Sequence, residues 1–145
     1  MKLFLYTMLL FILVTSCNVE PRAIDYGKDG CHHCKMILMD TKFGAQVVTN
    51  KGKIFIFDDV NCLMSFLETD EINMETDAKH ILVTDYHSPE SLVDATIAFY
   101  LKSDAFKTPM ASQIVAFEDY ETLKTYKAKN GGVYLAWGEL VTQFK

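Results

Sequence analysis

Lys53-Ile54-Phe55-Ile56-Phe57-Asp58-Asp59 and Gln113-Ile114-Val115-Ala116-Phe117-Glu118-Asp119 share one pattern: a β-prone run, a Phe and an acidic pair. An amphipathic stretch follows each, with Leu63 matching Leu123 and Phe66 matching Tyr126. In the first copy Val60, Leu63, Met64 and Leu67 fall at i, i+3, i+4 and i+7, one apolar face of a 3.6-residue period. An Asp at the start of such a stretch accepts backbone N–H bonds of the first turn and suits the helix dipole. The pair predicts strand then helix, twice. The rival explanation is chance likeness between two amphipathic helices.

Reading outward, residues 45–49 form a strand that pairs with 53–57 across Asn50-Lys51-Gly52, with Gly available for a positive φ. A third strand is expected at 81–86 after a polar loop, which makes 29–93 a ββαβ unit. A strand at 96–101 precedes the second copy. Another, at 133–137, follows the helix-stopping pair Gly131-Gly132. Residues 94–145 therefore read as a second ββαβ unit. Two tandem units with helices to one side place the chain in the α+β class.

The N-terminus carries Lys2, an apolar run over 3–14 and then Thr15-Ser16-Cys17. The run is shorter than the roughly 20 residues of a membrane-spanning helix and fits the core of a secretory signal peptide. Val14-Thr15-Ser16-Cys17 resembles a bacterial lipobox, in which the Cys is lipidated and becomes the mature N-terminus. Residues 1–16 are then a leader, 17–28 a lipidated tether, and the membrane link an anchor, not a span. Asn18 follows the Cys where Asp would favour inner-membrane retention in many Gram-negative bacteria. The expected location is therefore outside the cytoplasm, on the outer membrane, periplasmic or surface face.

Half the chain is apolar and 12% aromatic, so it can bury a core. The net charge of −5 comes without a basic block, which argues against a nucleic-acid partner. With Cys17 assigned to lipid, Cys31, Cys34 and Cys62 remain, and three thiols cannot all pair within one molecule.

Cys31-His32-His33-Cys34-Lys35-Met36, with Met39 beyond, gathers thiols, imidazoles and thioethers within a short stretch. Three readings compete. A structural zinc site needs four ligands and usually a second paired knuckle, which this chain lacks. A redox Cys-x-x-Cys sits at a helix start after a strand, and this motif instead precedes the first hairpin. A soft-metal site accounts for the Met residues as well as the thiols, because thiolate and thioether favour Cu(I). Met110, in the loop Thr108-Pro109-Met110-Ala111-Ser112, is a second thioether candidate; the bland reading is a loop Met capping the core. Cys62 reads as either a buried inert thiol or a further ligand. His32, His33 and His87 are weaker candidates, with solvated spacers as the alternative. Asp58 and Asp59 read as helix capping. No phosphate loop or nucleophilic triad is present, and nothing positive argues for an enzyme.

Across most of the mature chain these motifs run in one order: the lipobox, Cys31-x-x-Cys34-x-Met36, Phe57-Asp58-Asp59-x-x-Cys62, Val83-Thr84-Asp85-Tyr86, Thr108-Pro109-Met110, Ala116-Phe117 and Gly131-Gly132. Together they resemble the NosL family, accessory lipoproteins of nitrous oxide reductase assembly. The resemblance implies a Cu(I)-binding chaperone with two ββαβ units, related in fold to part of organomercurial lyase. It implies Cys31, Cys34, Met36 and Met110 as site residues, with Cys62 less firmly placed. It also implies nitrous oxide reductase and a membrane ABC-type maturation complex as partners. Lys35 departs from the Gly common in the family. Because Lys does not take a positive φ cheaply, a different local turn is expected. The favoured reading is a lipid-anchored carrier of one Cu(I), held by a Cys thiolate and Met110, with Met36 or a His completing the site. The alternative is a thiol–disulfide redox lipoprotein using Cys31 and Cys34 in copper or haem maturation.

Overall fold

Residues 19–144 are described by a computed structural model. The leader and Cys17 lie outside them. Ala45–Thr49 (β1) and Ile54–Phe57 (β2) form the expected hairpin, with Ala45 opposite Phe57 and Val48 opposite Ile54. Gly52 at φ +81 closes the turn, its N–H bonded to the Thr49 carbonyl at 2.9 Å. Val60–Leu67 (α1) begins at Asp59, whose side chain accepts the Cys62 N–H. The expected stripe of Val60, Leu63, Met64 and Leu67 is buried, and so are Cys62 and Phe66. The helix is covered on more than one side because it packs against β1 and β2 and also against a strand of the second sheet.

Ala78–Thr84 (β3) pairs with β1, and Leu92–Asp94 (β4) pairs with β3, giving the order β2-β1-β3-β4. In the second half Phe99–Lys102 (β5), Ile114–Phe117 (β6) and Val133–Leu135 (β7) form a sheet of order β6-β5-β7. Tyr120–Asn130 (α2) connects β6 to β7. Both units therefore place the first strand in the middle, its hairpin partner on one side and the post-helix strand on the other. The helix N-caps, Asp59 and Asp119, accept from the residue three places on in both copies.

Several boundaries differ from the sequence reading. The strand expected at 81–86 starts at Ala78 and ends at Thr84. Asp85 and Tyr86 leave the first sheet: Asp85 bridges Ala116 in parallel, and the Tyr86 N–H bonds the Ala116 carbonyl at 2.9 Å. That crossing joins the two sheets. The strand expected at 96–101 is Phe99–Lys102, because Thr96 is held in a turn by its N–H and hydroxyl bonds to Asp94 Oδ1 at 2.8 and 2.7 Å. The strand expected at 133–137 ends at Leu135, and Trp137 opens a helix, Trp137–Gln143 (α3). Glu139 reaches back to the Ala136 N–H at 2.8 Å and Leu140 is fully buried, so local capping and one apolar anchor turn the chain. Gly131 (φ +67) and Gly132 (φ +101) end α2 as expected. A Cβ on Gly132 would lie 2.3 Å from the Lys102 carbonyl oxygen, so the pair also lets β7 approach β5.

The larger apolar cluster draws on both sheets and on α1 and α3. Phe55, Phe57 and Tyr100 are among its fully buried side chains, each contributing about 1.5–3 kcal/mol. The stretch read as a tether is, from Arg22 onward, part of this fold. Gln46, fully buried, accepts the Arg22 N–H at 3.2 Å and donates to the Arg22 carbonyl at 2.9 Å, much as a neighbouring strand would. Ile24 and Tyr26 lie so close to Gly44 that a Cβ there would meet them at 2.7 and 2.6 Å. Gln46→Leu is expected to lower stability by about 1–3 kcal/mol in urea unfolding, because it leaves two Arg22 backbone groups unpaired.

Candidate metal centre

The Cys-x-x-Cys segment is a closed loop. Gly30 and Ile37 pair across it, the Cys31 N–H bonds the Met36 carbonyl at 2.7 Å, and the Lys35 N–H bonds the Cys31 carbonyl at 3.0 Å. The His32 N–H bonds the Ile56 carbonyl at 2.7 Å and fixes the loop to β2. Lys35 takes a positive φ, +66, despite its cost for a residue with a Cβ. A left-handed conformation costs a non-Gly residue about 1–2 kcal/mol. Two hydrogen bonds offset it, one from the Lys35 N–H and one from its ammonium to the His32 carbonyl. The turn expected to differ is in place.

This loop sets Cys31 and Cys34 beside the first turn of α1, where Cys62 waits. The three sulfurs lie within 4.8 Å of one another, and no disulfide joins them. Thiolates around one ion, with metal–sulfur bonds of about 2.3 Å, stand about 4 Å apart, so the triangle has the size of a metal site. Cys31 and Cys62 are buried, at 2% and 0% exposure, whereas Cys34 is half-buried at the rim. Among the described residues no histidine or carboxylate joins this group. Cys62, one step off the apolar stripe, was signalled in the sequence only by its thiol and by the Phe57-Asp58-Asp59-x-x-Cys62 motif of the family resemblance.

Charge is unequally shared in the triangle. Cys31 falls to about 4, chiefly because the Cys62 thiol donates to it, with help from the Cys34 and Asp58 N–H groups against the opposing effect of burial. The Cys34 N–H stands 3.4 Å from the Cys31 sulfur. Cys62 is pushed up because its proton is held by Cys31, and burial adds to this. Burial also raises Cys34. These shifts make Cys31 the thiol of the cluster that ionises first. Asp58 rises to about 6, from burial first and the Cys31 charge second.

The other candidates are placed as follows. Met110 sits in the β5–β6 loop, half-buried against the apolar cluster that includes Cys31 and Cys62. Its N–H bonds Asp59 Oδ2 at 3.1 Å, and Asp59 Oδ1 takes the Cys62 N–H at 3.1 Å. One buried carboxylate thus links the helix that carries a thiol to the loop that carries the thioether. Met36 is 47% exposed and Met39 74%, both facing solvent next to the loop. The His32 ring packs edge-on against Phe55 with centroids 4.6 Å apart, and burial lowers its pKa. His33 is exposed. His87 is exposed too, and its Nδ1 lies 3.3 Å from the Tyr126 hydroxyl.

A family model for NosL matches residues 22–144. The chain belongs to the NosL family. The match begins at Arg22, where the chain docks on Gln46. The crystal structure of the copper chaperone NosL from Shewanella denitrificans superposes with a TM-score of 0.70. That comparison covers 83% of this chain and 95% of the other at 22% identity, so the likeness is one of fold. No curated protein matches the chain by sequence.

The thiolate makes stability depend on pH. Cys31 is depressed, so its contribution is complete above the ordinary thiol value and is lost as pH falls toward about 4. Asp58, raised to about 6, acts oppositely but only below that value. Between pH about 6 and the ordinary thiol range the metal-free, reduced protein should resist urea better as pH rises. Cys31→Ser is expected to flatten that rise.

Proposed function

We propose that this NosL-family protein is a lipid-anchored chaperone that carries one Cu(I) outside the cytoplasm for assembly of the nitrous oxide reductase copper centre. The observation that carries the reading is the triangle of Cys31, Cys34 and Cys62 sulfurs within 4.8 Å, two of them buried. In this reading Cys31 and Cys62 supply thiolates and Met110 a neutral thioether, a soft set that suits a monovalent copper ion. The lowered Cys31 value favours its thiolate, so in this reading the incoming ion displaces one proton, that of Cys62. Cys34 at the rim is the sulfur through which the ion enters and leaves, and a ligand of the receiving protein takes its place during transfer. A membrane ABC-type maturation complex is the proposed docking partner. Cu(I) is cargo, and no bond in a substrate is made or broken.

The redox alternative draws on the lowered pKa of Cys31, but a reactive cysteine also needs access, and Cys31 is 2% exposed. Competition against a strong Cu(I) chelator under reducing conditions separates the two. The chaperone reading predicts tight binding of one equivalent, tightening about tenfold per pH unit as one proton is displaced. Cys31→Ser is expected to cost about 100-fold or more in affinity, and Met110→Leu about tenfold, on the scale set by outer-shell losses at metal sites. A Cys31→Ser/Met110→Leu protein that holds Cu(I) as tightly as the parent would overturn the reading.

A further inference from the structure

We propose that Asp59 is the positioning residue of the copper site, a buried carboxylate that ties the backbone at Met110 of the second unit to the helix that carries Cys62 in the first. The inference rests on the chaperone reading above and assigns Asp59 a role beyond capping α1. Asp59 is 0% exposed, and among the described residues no cation pairs with it. A carboxylate without a counter-charge is retained in a core only when hydrogen bonds occupy its oxygens. Here Oδ1 takes the Cys62 N–H at 3.1 Å. Oδ2 takes the Met110 N–H at 3.1 Å and the Ser112 hydroxyl at 3.4 Å.

The second unit supplies an internal control. Asp119 stands at the same place in its copy and caps α2 equally well. Its Oδ2 takes both the Thr122 N–H at 2.7 Å and the Thr122 hydroxyl at 2.9 Å, and the residue is exposed. Capping a helix therefore requires neither burial nor a reach into the other unit. Asp59 does both, and the groups it reaches flank a thioether. Met110 follows Pro109, and its loop is held in an expensive shape. Ala111 and Gln113 both have positive φ, +56 and +60, in residues with a Cβ. Such strain persists where surrounding contacts fix it, and it clusters at functional sites. Thr108 Oγ1 accepts the Gln113 N–H at 3.1 Å and lies 3.1 Å from the Ser112 hydroxyl, which meets Asp59 in turn. The loop is braced from within and pinned from the first unit by one side chain.

The test follows the Met110 methyl group by NMR in methyl-labelled protein, with and without one equivalent of Cu(I), alongside chelator competition. Asp59→Asn keeps an oxygen for the Cys62 N–H but turns an amide donor toward the Met110 N–H. In the parent the Met110 methyl resonance is expected to move on Cu(I) addition. In Asp59→Asn that movement should be lost and affinity should fall about tenfold, with Met110→Leu adding nothing further in a double-mutant cycle. Asp119→Asn should leave both readouts as in the parent. If Asp59→Asn does not fold, Ser112→Ala carries the test, with a reduced methyl shift and a loss of about threefold, as for one weak hydrogen bond. A methyl shift unchanged in Asp59→Asn, or in Ser112→Ala where that variant carries the test, would overturn the positioning role. So would affinity losses of Asp59→Asn and Met110→Leu that multiply independently, or a parent that binds Cu(I) with the Met110 methyl unmoved. In each of those cases the carrier reading stands, although an unmoved Met110 methyl also removes Met110 from its ligand set. A parent that does not hold Cu(I) at all overturns that reading instead.

Discussion

A sulfur anion buried in an apolar core must be met by hydrogen-bond donors, and that requirement organises the first half of this molecule. Among the described residues, hydrogen bonds and not a cation account for the lowered Cys31 value. The anion is stabilised by the Cys62 thiol and by backbone N–H groups, which exist in the right place only if two local structures form together. The loop must close so that the Cys34 N–H turns inward, and α1 must start where it does so that Cys62 points back at the loop. The His32 bond to Ile56 fastens the first to the strand that leads into the second. The chemistry of the site and the packing around β2 and α1 are thus one problem.

The two ββαβ units solve their backbone alike and divide their duties. Asp59 and Asp119 cap equivalent helices, and Leu63 and Leu123 are both buried. Cys62 in one copy is Thr122 in the other, and Phe66, packed against Phe55 and Phe57, is Tyr126, beside His87 and Tyr86. The second unit gathers aromatic rings where the first gathers sulfur. Its loop between β5 and β6 still reaches the first unit, through the Met110 N–H bond to Asp59.

Regular elements were legible in the sequence wherever one residue type had one dominant use. The β1–β2 hairpin, the α1 stripe and the Gly131-Gly132 stop follow from period, turn chemistry and positive φ. Elements fixed by partners were not legible. β4 is three residues whose role is to pair with β3, and α3 depends on a single buried Leu140 and a Glu139 cap. The docking of Arg22 on Gln46 looks from sequence like an ordinary polar stretch, because a Gln that imitates a strand has no pattern. At the centre, the Cys pair and Met110 stood out by chemistry. Cys62 did not, since a thiol on a buried helix is usually inert. Asp59 was read as a cap, and its reach to a loop fifty-one residues away in sequence is visible only in three dimensions.

Lys35 in the left-handed region has a consequence for what keeps the loop closed. A glycine there would adopt the closed shape without strain, at a cost in backbone entropy smaller than that strain. A lysine in that shape is strained, and it stays there because its N–H and ammonium are tied to Cys31 and His32. Losing either bond would release that strain and loosen the turn that keeps the Cys34 N–H against the Cys31 sulfur.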